Sequence, residues 1–127
     1  MNKNVLLVAG IAALTIMSAG VAHAAGDAGE GKKVFTRVCG ACHTDQANGP
    51  RKLGPTLFGV VGRKAGSVEG FRYSTANKDS GITWTPEVLD EYLKDPKAKV
   101  PGTIMAFAGL KNDTERQNVI AYLETLK

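Results

Sequence analysis

The sequence predicts an all-α domain of short helices joined by long loops, and three observations predict it. Helix-start signatures stand at Asp27, Ser74, Thr85-Pro86 and Asn112. The glycine-rich stretch 44–70 has no sustained hydrophobic periodicity, and strand signals are nearly absent from the chain. The pentad Cys39-Gly40-Ala41-Cys42-His43 has the C-x-x-C-H form that attaches covalent c-type haem. Loops this long are unusual inside a small domain. They make sense as segments wrapped around the edge and faces of a cofactor.

Residues 1–24 read as a cleaved export leader. Lys3 supplies a positive start, Val5 to Ala19 is apolar, and Ala22-His23-Ala24 has the small-x-small form of a signal-peptidase site before Ala25. The uncharged stretch from Asn4 to Gly26 is also long enough for an uncleaved membrane anchor, since about 20 apolar residues span a bilayer. Gly10, Ser18 and Gly20 dilute that run and no positive flank follows it, which favours cleavage. Residues 25–127 then form one small domain.

Within that domain, Asp27-x-x-Glu30 resembles a capping box opening a helix that runs toward the pentad, with Val34, Phe35 and Val38 on its apolar side. Ser74 caps a short helix expected to stop at Gly81. Thr85 as cap with Pro86 in the first turn starts the next helix. Its apolar positions are Val88, Leu89, Tyr92 and Leu93, and Pro96 closes it. Asn112-x-x-Glu115 opens the last helix, whose Val119, Ile120, Leu123 and Leu126 recur at spacings of three and four.

Each part of the pentad has a chemical role. The thiols of Cys39 and Cys42 would add across the porphyrin vinyl groups as thioethers, and the adjacent His43 would ligate iron from one axial side. Three other uses weigh less. A thioredoxin-like redox pair expects a β-α-β setting that is not visible here. A closed zinc site needs four N or S ligands, and Cys39, Cys42 and His43 are all that residues 25–127 offer. A plain disulfide is compatible with export, but it would leave His43 idle.

Iron bound to His43 has a second axial position. Once the leader is removed, Met105 is the one remaining thioether, and neither a second His nor a third Cys remains. It lies in Val100-Pro101-Gly102-Thr103-Ile104-Met105, a turn-rich segment between helices. A lone Met is usually core filler. Its isolation and loop setting favour ligation, while Lys, Tyr or an open site remain the alternatives.

The chain resembles a class I c-type cytochrome of the soluble mitochondrial and bacterial type. The likeness runs from Gly31-Lys32-Lys33-Val34-Phe35 to Ile120-Ala121-Tyr122-Leu123. Between them, Gly54-Pro55-Thr56-Leu57, Gly62-Arg63-Lys64, Asn77-Lys78, Glu91-Tyr92-Leu93, Pro101-Gly102-Thr103-Ile104-Met105 and Phe107-Ala108-Gly109 follow the family in order and spacing. The resemblance implies the small globular cytochrome c fold, a monomer in which the first and last helices cross, with Gly31 and Phe35 near Val119 and Tyr122. It implies that the Pro55 carbonyl accepts from His43 Nδ1–H, and that the Tyr92 hydroxyl sits near the Met sulfur. It places Tyr73, Trp84, Arg63 and Thr103 around the haem propionates and Asn77 in a water network beside the Met. Taken alone, Trp84 and Tyr92 would serve as well as ordinary core aromatics. The family docks through lysines around the haem edge, a face on which this chain keeps Lys33, Lys52, Lys97 and Lys111, with Arg37 nearby. Val38, Ala98 and Ile104 stand where mitochondrial members carry lysine, so the docking field should be weaker.

Without Lys3 the chain carries 15 basic and 12 acidic residues, a formal +3 before propionates. That is too weak and too interspersed for a nucleic-acid footprint. It suits transient docking to the acidic surfaces of membrane or periplasmic redox proteins: a bc1-type complex, an oxidase, a reductase or a reaction centre. With both axial positions of iron filled, the expected function is a soluble periplasmic one-electron carrier in a respiratory or photosynthetic chain, not an enzyme. A five-coordinate c-type haem peroxidase or gas sensor is the alternative, and a thiol–disulfide oxidoreductase a third. A domain of this size is marginal on its own core. The polypeptide made without haem should therefore be largely unfolded. A cooperative melt of the apo-form by circular dichroism would contradict this.

Overall fold

The first and last helices set the frame. The computed structural model describes residues 25–127, so the expected leader at 1–24 lies outside the described residues. The helices are α1 (Ala28–Val34), continued by a π-helical turn (Phe35–Cys39), α2 (Thr75–Lys78), α3 (Pro86–Lys94), α4 (Pro96–Lys99) and α5 (Asp113–Glu124). Among the described residues the sole β-type pairing is an isolated antiparallel bridge between Lys64 and Thr83. No described helix is long and apolar enough to cross a membrane.

Each helix begins at its cap signature. The side chains of Asp27, Ser74, Thr85 and Asn112 accept from the backbone N–H three residues on, satisfying donors that a helix start leaves unpaired. Two boundaries differ from expectation. The helix after Ser74 ends at Lys78, and a turn carries the chain to Gly81, whose φ of 68° suits only glycine without strain. Pro96 does close α3, but it also opens α4, because Asp95 accepts from Ala98 N at 3.1 Å and caps a new turn.

The crossing of α1 and α5 depends on a missing side chain. A Cβ on Gly31 would lie 1.9 Å from the Asn118 carbonyl oxygen and 2.8 Å from Tyr122 Cβ, so only glycine lets the two backbones approach this closely. Beside that point Phe35 and Tyr122 meet with ring centroids 5.6 Å apart and planes tilted by 59°. Val34, Phe35, Val119, Ile120, Tyr122, Leu123 and Leu126 are buried, as the apolar spacing of both helices requires. Leu89 and Tyr92 bring the inner face of α3 into the same core.

Arg116 ties α3 to α5 and gave no signal in the sequence. It is 3% exposed. Its guanidinium donates to Asp90 at 2.6 Å, Asp113 at 2.7 Å and the Leu110 carbonyl at 3.0 Å, while Gln117 donates to the same Asp90 oxygen. A buried cation with this many acceptors is tolerated because each acceptor replaces lost hydration.

Replacing Gly31 by Ala should force α1 and α5 apart and destabilise the protein by about 3 kcal/mol, the upper end of overpacking costs. Denaturant unfolding of the haem-loaded protein checks this. An unchanged midpoint would refute the close crossing.

Candidate metal centre

The pentad leaves the π-helical turn and folds back on itself. Cys42 N and His43 N both donate to the Cys39 carbonyl, at 3.0 and 2.9 Å, so the three chemically active residues share one tight turn. A π turn carries one more residue than an α turn, and such turns concentrate at functional sites. Here it is closed by Gly40 N donating to the Phe35 carbonyl at 2.8 Å. Phe35 thereby stays in the α1–α5 core, Cys39 packs against that core and Cys42 is exposed.

His43 is fixed from two directions. Its Nδ1–H donates to the Pro55 carbonyl at 2.7 Å, which leaves Nε2 with its lone pair free. Gly54 lies against the ring, where a Cβ would fall 2.2 Å from His43 Cε1. Burial holds the His43 pKa below the ordinary value; the Pro55 carbonyl opposes that shift, and Lys52 and Arg63 add to it. The imidazole is therefore neutral at neutral pH, the form that ligates metal.

The thiols tell against redox exchange. Cys39 and Cys42 are not joined as a disulfide. Burial, then the neighbouring Cys42, pushes the Cys39 thiol up to about 11. A dithiol redox motif needs the opposite shift. Among the described residues no three His, Cys, Asp or Glu side chains converge on a metal-binding point, so the pentad does not extend into a closed zinc site.

Two further side chains, Tyr92 and Thr103, stand against Met105. The Tyr92 hydroxyl donates to Met105 Sδ at 3.8 Å, and Met105 N donates to Thr103 Oγ1 at 3.3 Å. Burial raises the Tyr92 pKa, partly offset by the hydrogen bond from Thr103, so Tyr92 remains a phenol and a donor. Asn77 Oδ1 is buried with no hydrogen-bond partner. An unpaired buried carbonyl is costly and marks a place where something else is meant to bind.

The remaining predicted residues divide. Backbone pairing of Gly62 N with the Trp84 carbonyl, and of Trp84 N with the Arg63 carbonyl, brings Arg63 and Trp84 together. Arg63 donates to the carbonyls of Phe58 and Thr56, and Tyr73 stands close enough to shift its pKa. The Tyr73 hydroxyl itself accepts from Val68 N at 3.1 Å. Trp84 packs on Tyr92 at 4.7 Å between centroids. Thr103, grouped with these three in the sequence, stands beside Tyr92 and Met105. Lys33 pairs with Glu30, Lys52 donates to the carbonyls of Gly40 and His43, Lys111 donates to the Lys94 carbonyl, and Lys97 is exposed.

Some contributors left little trace in the sequence. The only cue for Gly54 was its position in a Gly-Pro pair. Lys52, which straps the pentad by its Gly40 and His43 carbonyls, read in the sequence as a docking lysine and not as a strap. Nor was the hydrogen bond from the Tyr122 hydroxyl to Asp45 at 2.6 Å visible. It joins the loop after His43 to α5, and burial together with the Asp45 carboxylate pushes the Tyr122 pKa up to about 12.

An all-α domain with two thiols and a neutral imidazole in one turn, a partly buried thioether and an orphaned polar atom defines a covalent-haem protein. Comparison with known proteins agrees. The cytochrome c family profile matches residues 28–127. The chain is 50% identical over 112 residues to cytochrome c2 of Blastochloris viridis, covering 87% of each chain. It is 54% identical over 98 residues to cytochrome c-550 of Nitrobacter winogradskyi, covering 77% of this chain and 89% of the relative. To cytochrome c of Trypanosoma brucei brucei it is 63% identical over 79 residues, or 62% of this chain and 85% of the relative. The chain belongs to the cytochrome c family: it carries one covalently bound haem c with iron and transfers electrons rather than acting as an enzyme.

Gly54→Ala should displace the imidazole from Pro55 and weaken its hold on iron. The expected result is a lower yield of haem-loaded protein and loss of the low-spin visible spectrum at milder denaturant than wild type. Identical spectra through the titration would refute the steric role of Gly54.

Proposed function

We propose that this chain is an exported, soluble one-electron carrier of the periplasm, with its leader removed after Ala24, shuttling between respiratory or photosynthetic complexes. The observation that carries this reading is the arrangement of His43 and Met105. One presents a neutral nitrogen held by Pro55, and the other a sulfur held by Tyr92. Together they would hold haem iron, and with both in place no position would be open to a substrate. Haem iron, when bound, supplies the reversible one-electron change.

The protein's own residues supply the rest. Cys39 and Cys42 would anchor the ring through thioether bonds. The Pro55 carbonyl fixes the imidazole tautomer and increases its basicity. The Tyr92 phenol draws electron density from the Met105 sulfur, weakening its donation. Arg63, Tyr73, Trp84 and Thr103 would receive the propionates, and Asn77 would offer its unpaired carbonyl to an ordered water beside Met105. Both ligands are held by packing before any electron arrives, so the geometry changes little on reduction. Docking to acidic partners runs through Lys33, Lys52, Lys97 and Lys111, whose charge steers encounter.

Met105→Ala should open the distal position, raise peroxidase activity and lower the potential by on the order of 0.1–0.3 V, within the roughly 0.8 V that axial ligands span. Redox titration checks it. Carbon monoxide should bind rapidly to the reduced variant and not to wild type at neutral pH. Rapid stoichiometric binding by wild type would instead indicate a five-coordinate sensor or peroxidase.

A further inference from the structure

Arg116 has more acceptors than a tie between two helices requires. Its Nε donates to Asp90 on α3 at 2.6 Å, and its Nη2 to Asp113 on its own helix at 2.7 Å. Its Nη1 reaches outside both helices, to the carbonyls of Leu110 and Lys111 at 3.0 and 3.4 Å. Those carbonyls stand where the segment that carries Met105 rejoins the body of the protein. Segment 95–109 leaves the end of α3 after Lys94 and returns at Leu110. Its two ends meet: Leu110 N donates to the Leu93 carbonyl at 2.7 Å, and the Lys111 ammonium to the Lys94 carbonyl at 2.5 Å. Gly109 closes the neck, since at its φ of 107° a Cβ would fall 2.2 Å from the Lys94 oxygen.

One guanidinium therefore grips both sides of the neck. Asp90 lies one turn before Lys94 on the departing side, and the Leu110 and Lys111 carbonyls form the returning side. Gln117 donates to the same Asp90 oxygen at 2.7 Å, so α5 reaches this carboxylate with two side chains. Other ties across the segment are weaker. Lys99 pairs with Glu91 at the surface, where ion pairs contribute little. The Tyr92 hydroxyl reaches Met105 across 3.8 Å, and a thioether accepts weakly. The His43 side does not pass through this neck, because Gly54 N, Leu57 N and the Tyr122 hydroxyl bind residues 42–45.

We infer that Asp90 is a positioning residue for Met105: paired with Arg116, it latches the neck of segment 95–109, and its loss frees the sulfur side of the centre while the nitrogen side stays in place. The inference rests on the reading of Met105 as an iron ligand and names the residue that keeps it there. Arg116 is 3% exposed, so without Asp90 its guanidinium is a buried cation that has lost its acceptor on α3. Hydrating that cation requires the neck to part from α5, and the neck is not held by the α1–α5 crossing. Asp113 does not substitute. It sits on α5 itself, three residues before Arg116, and joins α5 to nothing else through this contact.

The test is amide hydrogen exchange on the reduced haem-loaded protein, read at Leu110, whose N–H closes the neck, and at Gly54 and Leu57 on the nitrogen side. Asp90→Ala should speed exchange at Leu110 about a hundredfold, as a buried ion pair broken on one side does, and leave Gly54 and Leu57 as in wild type. Carbon monoxide should bind the reduced variant faster by a similar factor, because Met105 leaves with its segment. Asp90→Asn keeps an acceptor and loses the charge, so about a tenfold effect at Leu110 is expected. That variant carries the test if Asp90→Ala holds no haem. Asp113→Asn removes an anion from the same guanidinium without untying the neck and should leave all three amides unchanged. Equal acceleration at Leu110, Gly54 and Leu57 would make the role of Asp90 a global one and overturn the inference, as would unchanged exchange at Leu110. An equal effect of Asp113→Asn at Leu110 would assign the change to lost charge alone, with the same consequence. Faster Leu110 exchange in Asp90→Ala, in a protein whose ferric wild type lacks the weak near-infrared sulfur-to-iron band, would leave the latch standing and sink Met105 as the ligand.

Discussion

The hydrogen bond from His43 Nδ1 to the Pro55 carbonyl is the constraint on which the rest of the molecule is arranged. It selects the tautomer, leaves Nε2 as the free nitrogen, and sets the plane of the ring. The contact needs the backbone to pass almost against the imidazole, which only Gly54 permits. That close pass is itself tied down, because Gly54 N donates to the Cys42 carbonyl at 2.8 Å and Leu57 N to the Thr44 carbonyl at 2.9 Å. The loop from 54 to 57 is therefore a second strand of support laid along the pentad, without being a β-strand. A loop can be this well determined because three of its backbone groups, Gly54 N, the Pro55 carbonyl and Leu57 N, are spent on residues 42–44.

Support for the site comes from the frame as well. Tyr122 links the two: its ring packs on Phe35 at the helix crossing, and its hydroxyl binds Asp45 two residues past His43. The Met105 side depends on α3 through Tyr92, and α3 depends on α5 through Arg116 and Asp90. Both sides of the centre thus lead back to α5. Electron transfer gains from such a chain of supports, since ligands that do not move need no rearrangement when iron changes charge.

Much of the fold was legible because its signals are local. Asp27, Ser74, Thr85 and Asn112 each announce a helix start through a side chain that accepts a nearby N–H, and all four do so. The period of Val119, Ile120, Leu123 and Leu126 likewise reports a buried face, and all four are buried. Within the site, the pentad was legible because thiol spacing and the adjacent His are fixed by the chemistry they serve. What escaped the sequence were contacts between distant segments. Arg116 reads as an ordinary surface cation until α3 brings Asp90 to it, and Asp45 until α5 brings Tyr122. The contact of Thr103 with Tyr92 of α3 likewise had no local signal. A side chain's direction within a turn-rich segment is not encoded by periodicity, because there is none.

The π-helical turn shows how frame and site are reconciled in one continuous stretch. The α1–α5 crossing dictates where Gly31, Val34 and Phe35 must point, and the pentad dictates where Cys39, Cys42 and His43 must point. A regular α-helix advances about 100° per residue and could not satisfy both registers over so few residues. Inserting one residue into the ladder between Phe35 and Gly40 changes the phase of everything that follows, without breaking the chain's hydrogen bonding. Such a turn is less favourable than an α turn. It persists because Phe35 is locked against Tyr122 on one side and the Cys39 carbonyl is held by Cys42 and His43 on the other. A one-residue deletion that restored α-helical phase would keep the core and misplace the thiols. The irregularity belongs to the attachment chemistry, not to the folding of α1.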